Sequence, residues 1–179
     1  IVPLYRVARR HVGELEPLGD PYTLHFGGRA ETFRAWRDRR PASETPTVFI
    51  EHDGFFDRDG IYGDRGGDYP DNHRRFSGFA AAAVAALPRI TGGSLLLHAH
   101  DWHASLAPVY LREWWGRDPW YARIPVVLSV HNGGYQGHFG ADVMPDIGLP
   151  WSLFTPDRLE WYGKTNFLKG GLTHADMAT

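Results

Sequence analysis

Three histidines and an aspartate fall within six positions, His98-Ala99-His100-Asp101-Trp102-His103, directly after the apolar run Ser94-Leu95-Leu96-Leu97. Imidazoles and a carboxylate this close together can ligate a metal ion such as zinc. They can also act on protons, or hydrogen-bond a substrate hydroxyl from the first turn of a helix, where free N–H groups and the helix dipole favour polar and anionic ligands.

Whichever chemistry operates, the cluster must be held by the elements on either side of it. A short apolar run ended by polar residues predicts a buried parallel strand over Ser94 to Ala99. Ala104 to Trp115 follows as an amphipathic helix closed by Gly116, with Pro108 in its first turns, where a missing N–H does least damage. Asp101 is placed to cap this helix, and Trp102 to pack into the core. A second apolar run, Pro125 to Val130, ends in His131-Asn132-Gly133-Gly134-Tyr135-Gln136-Gly137. Two strands joined through a helix make a right-handed βαβ unit with parallel strands, so both polar ends lie on one sheet edge. His98, His100, His103, His131 and Asn132 are therefore expected to line one crevice, where open α/β sheets bind ligands.

The rest of the chain frames that crevice. Tyr22 to Phe26 and Glu31 to Arg37 alternate as strands across Gly27-Gly28, which predicts a β-hairpin. The polar segment Arg39 to Pro46 reads as a loop, and Thr47 to Glu51 as a third strand. From His52 to Asn72 glycine, aspartate and aromatics dominate, a long loop of the kind that usually carries function. Asp71 or Asn72 can cap the next helix, whose Phe76, Phe79, Ala80, Ala83, Val84 and Leu87 keep helical spacing until Pro88 stops it. Ala141 to Gly163 is loop-rich, Lys164 to Thr173 has helical spacing, and Ala175 to Thr179 reads as the start of another strand.

Composition narrows the functional classes. The 179 residues suit a single domain over 1–179 with a real core. A net charge of −2 gives no reason to expect nucleic acid, and no apolar run approaches the ~20 residues of a membrane span, so neither nucleic acid nor membrane is expected as a partner. Without cysteine there are no disulfides or thiolate metal sites, and the cytoplasm is the default location. Seven tryptophans and 14% aromatics, many beside glycine and aspartate, offer flat rings that suit sugar faces.

Several motifs in order carry a resemblance. His98-Ala99-His100-Asp101-Trp102-His103-Ala104, Val130-His131-Asn132-Gly133-Gly134-Tyr135-Gln136-Gly137, Leu149-Pro150-Trp151 and Asn166-Phe167-Leu168-Lys169-Gly170-Gly171-Leu172-Thr173-His174-Ala175-Asp176 together resemble the N-terminal catalytic domain of bacterial glycogen synthases and plant starch synthases. Phe56-Asp57-Arg58-Asp59-Gly60-Ile61-Tyr62-Gly63 and Asp71-Asn72-His73-Arg74-Arg75-Phe76 fit the same family. The resemblance is dense from about Thr47 onward and weaker before it.

What the resemblance implies is an α/β, Rossmann-like parallel-sheet domain of the GT-B type, incomplete at both ends and carrying an N-terminal β-hairpin. The implied activity is a retaining transfer of glucose from ADP-glucose to the non-reducing end of an α-1,4-glucan. A nucleotide sugar and an α-glucan are then the partners, with no metal and no cofactor, ADP-glucose being a substrate. His103 matches the family's histidine beside the donor glucose. His131, Asn132 and Gln136 match positions lining the same cleft, and Phe56, Asp71 and Arg75 match positions facing the acceptor glucan. The family's Lys-x-Gly-Gly-Leu loop and its C-terminal GT-B domain are not found in the chain, which is expected to be a fragment inactive alone, needing that domain to complete the site.

Two other functions remain open. One is a zinc-dependent hydrolase using His98, His100 and His103, close to the H-x-H-x-D-H pattern of metallo-β-lactamase-like enzymes. Its aspartate, however, should directly precede the last histidine, where Trp102 stands. The other is a non-catalytic glucan-binding module.

Overall fold

The computed structural model describes residues 1–39 and 45–179. The loop expected over Arg39 to Pro46 falls largely outside them. Gly27 and Gly28 take φ of +59° and +68°, as a two-residue primed turn demands of both its central residues. Tyr22–Phe26 and Arg29–Asp38 accordingly pair as an antiparallel hairpin with Phe26 opposite Arg29. The long strand Arg29–Asp38 also pairs antiparallel with Leu15–Pro17 and with Val48–Glu51, and Val48–Glu51 pairs parallel with Val2–Pro3. Along it Phe33 and Ala35 are buried and Arg34 is exposed, the period-two alternation of a sheet with one covered face.

The second sheet holds the site. Leu97–His100 runs parallel to Val126–Ser129, with His98 opposite Val127 and His100 opposite Ser129. Met177–Ala178 joins the far side of Val126–Ser129, also parallel, so a strand does begin near the chain's last residues. The expected adjacency and direction hold, but not the expected burial. Only Val126–Ser129 is flanked on both sides, and among the described residues Leu97–His100 is an edge. It starts at Leu97, not Ser94, and buries only Ala99, leaving Leu96 54% exposed. Side chains alternate across a strand, so the covered face takes Ala99 while His98 and His100 stand on the bare one.

Between the two sheets runs the helix Asn72–Ile90. Phe76, Ala80, Ala81 and Val84 pack into the core around the parallel sheet. Phe79, Ala82, Ala83 and Ala86 pack into the core under the hairpin sheet. Its alanines bring neighbours close, and the helix is buried nearly all round, not along one stripe. Pro88 does not stop it as expected. The proline forfeits one backbone bond, but the Thr91 N–H still reaches the Leu87 carbonyl (3.0 Å), so the last turn closes at Ile90.

The helix expected over Ala104 to Trp115 is divided at Ser105 into Asp101–Ala104 and Leu106–Glu113. Within the region read as loop, Asp53–Phe56 is a helical turn and Gly63–Asp64 pairs with Gly67–Asp68. Lys164–Asn166, read as helix, is a strand between His138–Gly140 and Glu160–Trp161 in an antiparallel sheet. The helix proper is Phe167–His174, capped by the Asn166 side chain, which accepts from the Lys169 N–H (2.9 Å).

Candidate active-site crevice

The polar ends of the two parallel strands open onto a crevice of about 520 Å³, lined by Tyr62, Asp101, His103, Asn132, Gln136 and Phe139 among others. The strand-to-helix junction explains how His103 gets there. Asp101 takes φ +56°, a left-handed conformation rare outside glycine. The turn breaks the strand's alternation, and Trp102 goes into the core at 9% exposure while His103 lies one residue on at the crevice wall.

His103 sits in an aromatic nest, its ring 4.2 Å from Trp102, 5.1 Å from Phe76 and 5.2 Å from Tyr62 by ring centres. Burial pushes its pKa down to about 4, against a small upward pull from the Asp101 charge. The imidazole is thus neutral at pH 7, and its Nε2 is buried without a hydrogen-bond partner. A neutral ring keeps one donor and one acceptor and adds no positive charge to the crevice wall.

The opposite lip is pinned from below. The Gln136 side-chain amide donates to the Gly133 carbonyl (2.9 Å), and its Oε1 accepts from Asn166 Nδ2 (2.8 Å). Asn166 Nδ2 also lies 2.8 Å from His138 Nε2. The N–H groups of Phe167 and Leu168 donate to the carbonyls of Gly137 and Gln136. Asn132, exposed on the same loop, accepts the Gly134 N–H on its own side-chain oxygen (2.9 Å).

The five residues expected to line one crevice do not all do so. His103 and Asn132 do, with Gln136 beside them. His98, His100 and His131 form a separate chain on the bare sheet face. His98 Nε2 meets Ser129 Oγ (2.8 Å), His100 Nδ1 meets His131 Nε2 (3.0 Å), and the His100 and His131 rings stack. The reason is the strand's period of two, which sends His98 and His100 to one side while the turn at Asp101 delivers His103 to the other. Among the described residues no group of three or more metal-ligating side chains is placed to hold an ion. The zinc hydrolase thereby loses its ligand set.

Asp101 does not cap its helix, because His131 and Asn132 reach it first. Its carboxylate accepts the His131 N–H (2.8 Å) and, at 3.4 Å, the Asn132 N–H.

The three residues expected to face a glucan are placed differently. Phe56 is fully buried, its ring edge-on to Tyr5 and Phe79. Arg75 is fully buried too, donating to the carbonyls of Phe55 (2.7 Å) and Ile61 (2.8 Å) and to Asn72 Oδ1 (2.6 Å). Neither side chain reaches the crevice. Asp71 is half-buried and neither caps its helix nor lies free, since both its oxygens accept from Arg58, at 2.7 and 2.6 Å. Burial works upward on its carboxyl, but the Arg58 hydrogen bond and charge, with Arg75, outweigh it and hold the pKa below the usual value.

Sequence reasoning missed Tyr62 and Phe139 as crevice residues. Tyr62 carried a signal, an aromatic in the long Gly/Asp loop. Phe139 carried none, because its strand forms only by pairing with Lys164–Asn166.

A family model described as the starch synthase catalytic domain matches residues 1–179. The chain is 41% identical over 179 residues to a glycogen synthase of Syntrophotalea carbinolica, covering 100% of this chain and 37% of that protein. It is 43% identical over 179 residues to glycogen synthase 1 of Geobacter metallireducens, covering 99% and 36%. A solved structure described as the catalytic domain of starch synthase IV from Arabidopsis thaliana bound to ADP and acarbose superposes with a TM-score of 0.79 at 24% identity. That superposition covers 99% of this chain and 36% of the other, and the likeness shows the fold alone: α/β and Rossmann-like, as a GT-B domain requires. The chain spans little more than a third of the length of the relatives it matches.

Proposed function

Because the chain belongs to the starch synthase catalytic domain family, we propose that it forms one wall of the active site of a retaining glucosyltransferase. That enzyme moves glucose from ADP-glucose to the non-reducing end of an α-1,4-glucan. The facing wall is assigned to the part of the relatives' length that this chain does not span. The observation that carries this reading is His103, neutral, lining the crevice across from Asn132 and Gln136.

As the bond from C1 to the diphosphate oxygen breaks, its electron pair leaves with ADP. The glucan hydroxyl forms the new bond to C1 on the same face, passing its proton to the departing diphosphate oxygen, and positive charge grows on the ring in between. A neutral His103 does not oppose that charge, and its dipole is fixed by packing against Trp102 and Phe76 before the reaction begins. Asn132 and Gln136 line the opposite lip as hydrogen-bonding partners for the sugar, whereas Phe56 and Arg75, both buried, support the structure behind the crevice without touching a glucan. Asp71 acts with them through Arg58. No metal or cofactor is invoked, and the protein is placed in the cytoplasm as part of the same proposal. Among the described residues, no helix is long and apolar enough to cross a membrane.

The test is to supply the complete enzyme with ADP-glucose labelled in the sugar and a maltooligosaccharide. The expected product is the acceptor lengthened by α-linked glucose, with one ADP released per residue added. Binding of the oligosaccharide with no consumption of ADP-glucose would favour the glucan-binding module instead.

A further inference from the structure

The antiparallel sheet beside the crevice carries a turn whose strain the rest of the chain does not offset. Glu160–Trp161 and Lys164–Asn166 are joined by Tyr162 and Gly163, with φ of +48° and +76°. This is the same primed two-residue turn as at Gly27-Gly28, and asparagine or glycine suits its first position best. Tyrosine puts a Cβ in the left-handed region there, at a cost in energy. Its ring recovers little of that cost. It is 85% exposed and makes no hydrogen bond among the described residues, and the ring it meets is Trp161, 5.0 Å away, perpendicular to it and itself 45% exposed. Strain of this kind concentrates where a ligand is held.

The turn is continuous with the crevice. Gly140, Lys164 and Trp161 stand in one row across the three strands, and His138, two residues before Gly140, lines the crevice. Side chains alternate along a strand, so His138, Lys164 and Trp161 share one face of the sheet, with Trp161 two strand spacings, about 10 Å, from Gly140. Lys164, between them, is exposed and has no ion pair among the described residues. The His138 pKa is lowered by burial and then by the Lys164 charge, as befits neighbours. The turn itself is fixed. Glu160 Oε1 accepts the Gly163 N–H (2.7 Å), and Lys169 Nζ donates to the Glu160 carbonyl (2.6 Å) while lying 5.1 Å from the centre of the Trp161 ring.

We propose that Trp161 and Tyr162, with Lys164 on the way from the crevice, form an outlying acceptor subsite that grips an α-glucan several glucose units back from its reacting end. A polymer whose end lies in the crevice must leave across part of its rim. This part offers rings that suit the apolar faces of sugars and a free ammonium that donates to their hydroxyls. The identity of the ligand as a glucan rests on the glucosyltransferase reading.

The experiment compares wild type, Y162N and Y162F in the complete enzyme, with maltose and maltoheptaose as acceptors. Asparagine suits the turn but removes the ring, whereas phenylalanine keeps the ring. Y162N should melt at or above the wild-type temperature, yet raise KM for maltoheptaose about 3- to 10-fold, the scale of one aromatic stacking contact. Its kcat should not change, nor should its kcat/KM for maltose, which is too short to reach the turn. Y162F should match wild type with both acceptors.

Three outcomes overturn the proposal. A wild-type KM for maltoheptaose in Y162N means that no glucan reaches the ring. An equal loss with maltose and maltoheptaose means that the substitution acts at the crevice itself. A lower melting temperature in Y162N means that the ring packs against the part of the enzyme that this chain does not span. Failure of the wild-type enzyme to consume ADP-glucose would instead sink the glucosyltransferase reading, and calorimetric binding of maltoheptaose to wild type and Y162N would then judge the subsite separately.

Discussion

A Cβ on Gly137 would stand 2.5 Å from Cε3 of Trp102, so the loop that carries Asn132 and Gln136 rests directly on the indole beside His103. Gly137 also takes φ +64°, which L side chains adopt only with strain. G137A should therefore cost about 1–3 kcal/mol for overpacking and a further ~1–2 kcal/mol for the left-handed backbone. Gly133, in the same loop, has open space around its Cβ position and no positive φ, so G133A should stay within about 0.5 kcal/mol of wild type. Denaturant melts of the two variants check the contrast, and equal losses would show that the loop does not bear on Trp102.

Phe56 and Arg75 should behave as core residues. Phe56→Ala removes a fully buried ring and should cost about 3–5 kcal/mol. Arg75→Met leaves the carbonyls of Phe55 and Ile61 and the Asn72 side chain without their donor. At about 1–3 kcal/mol for each buried group left unsatisfied, it should be at least as damaging. Both variants should lower the melting temperature before they raise KM for glucan. A raised KM at unchanged stability would return the two residues to the acceptor site.

Stability should fall as pH drops from about 6.5 toward 4. Burial lowers the pKa of His103 to about 4, and it also lowers those of His100, His138 and His174. The unfolded chain, with histidines near the ordinary value, thus binds more protons across that window. The stability tied to neutral His103 is full above pH 6.5 and is lost by about pH 4. It amounts to about 1–2 kcal/mol once discounted for the part of the ring that solvent screens. Asp71, whose pKa is depressed, contributes stability that is lost only at lower pH, as its carboxylate protonates. Urea midpoints at pH 7.5, 6 and 5 should fall in that order, and H103N should flatten part of the slope. A slope unchanged by H103N would contradict a buried neutral imidazole.

Where structure follows from local chemistry, the sequence showed it. Two glycines bounded by alternating residues made the hairpin at Gly27-Gly28, and apolar runs ending in histidine marked the two parallel strands and the edge where the crevice opens. What escaped was set by distant partners. Lys164–Asn166 is a strand because His138–Gly140 and Glu160–Trp161 lie on either side of it. Leu97–His100 is half-bare because, among the described residues, nothing pairs with its outer edge. Phe56 and Arg75 illustrate a different gap: a family match transfers a position, but burial depends on the carbonyls and rings that close around it. Asp101 looks like a helix cap in the sequence because nothing local says that a backbone N–H from a loop 30 residues away will reach its carboxylate first.

The most direct measurement is steady-state transfer from ADP-glucose to a maltooligosaccharide by the complete enzyme, wild type against H103A, with the melting temperature of each. If His103 serves the donor sugar, H103A loses about 10²–10³-fold in kcat, the cost of removing one preorganised hydrogen-bonding group, with no loss of folding at the assay temperature. Wild-type turnover in a folded H103A enzyme would contradict it.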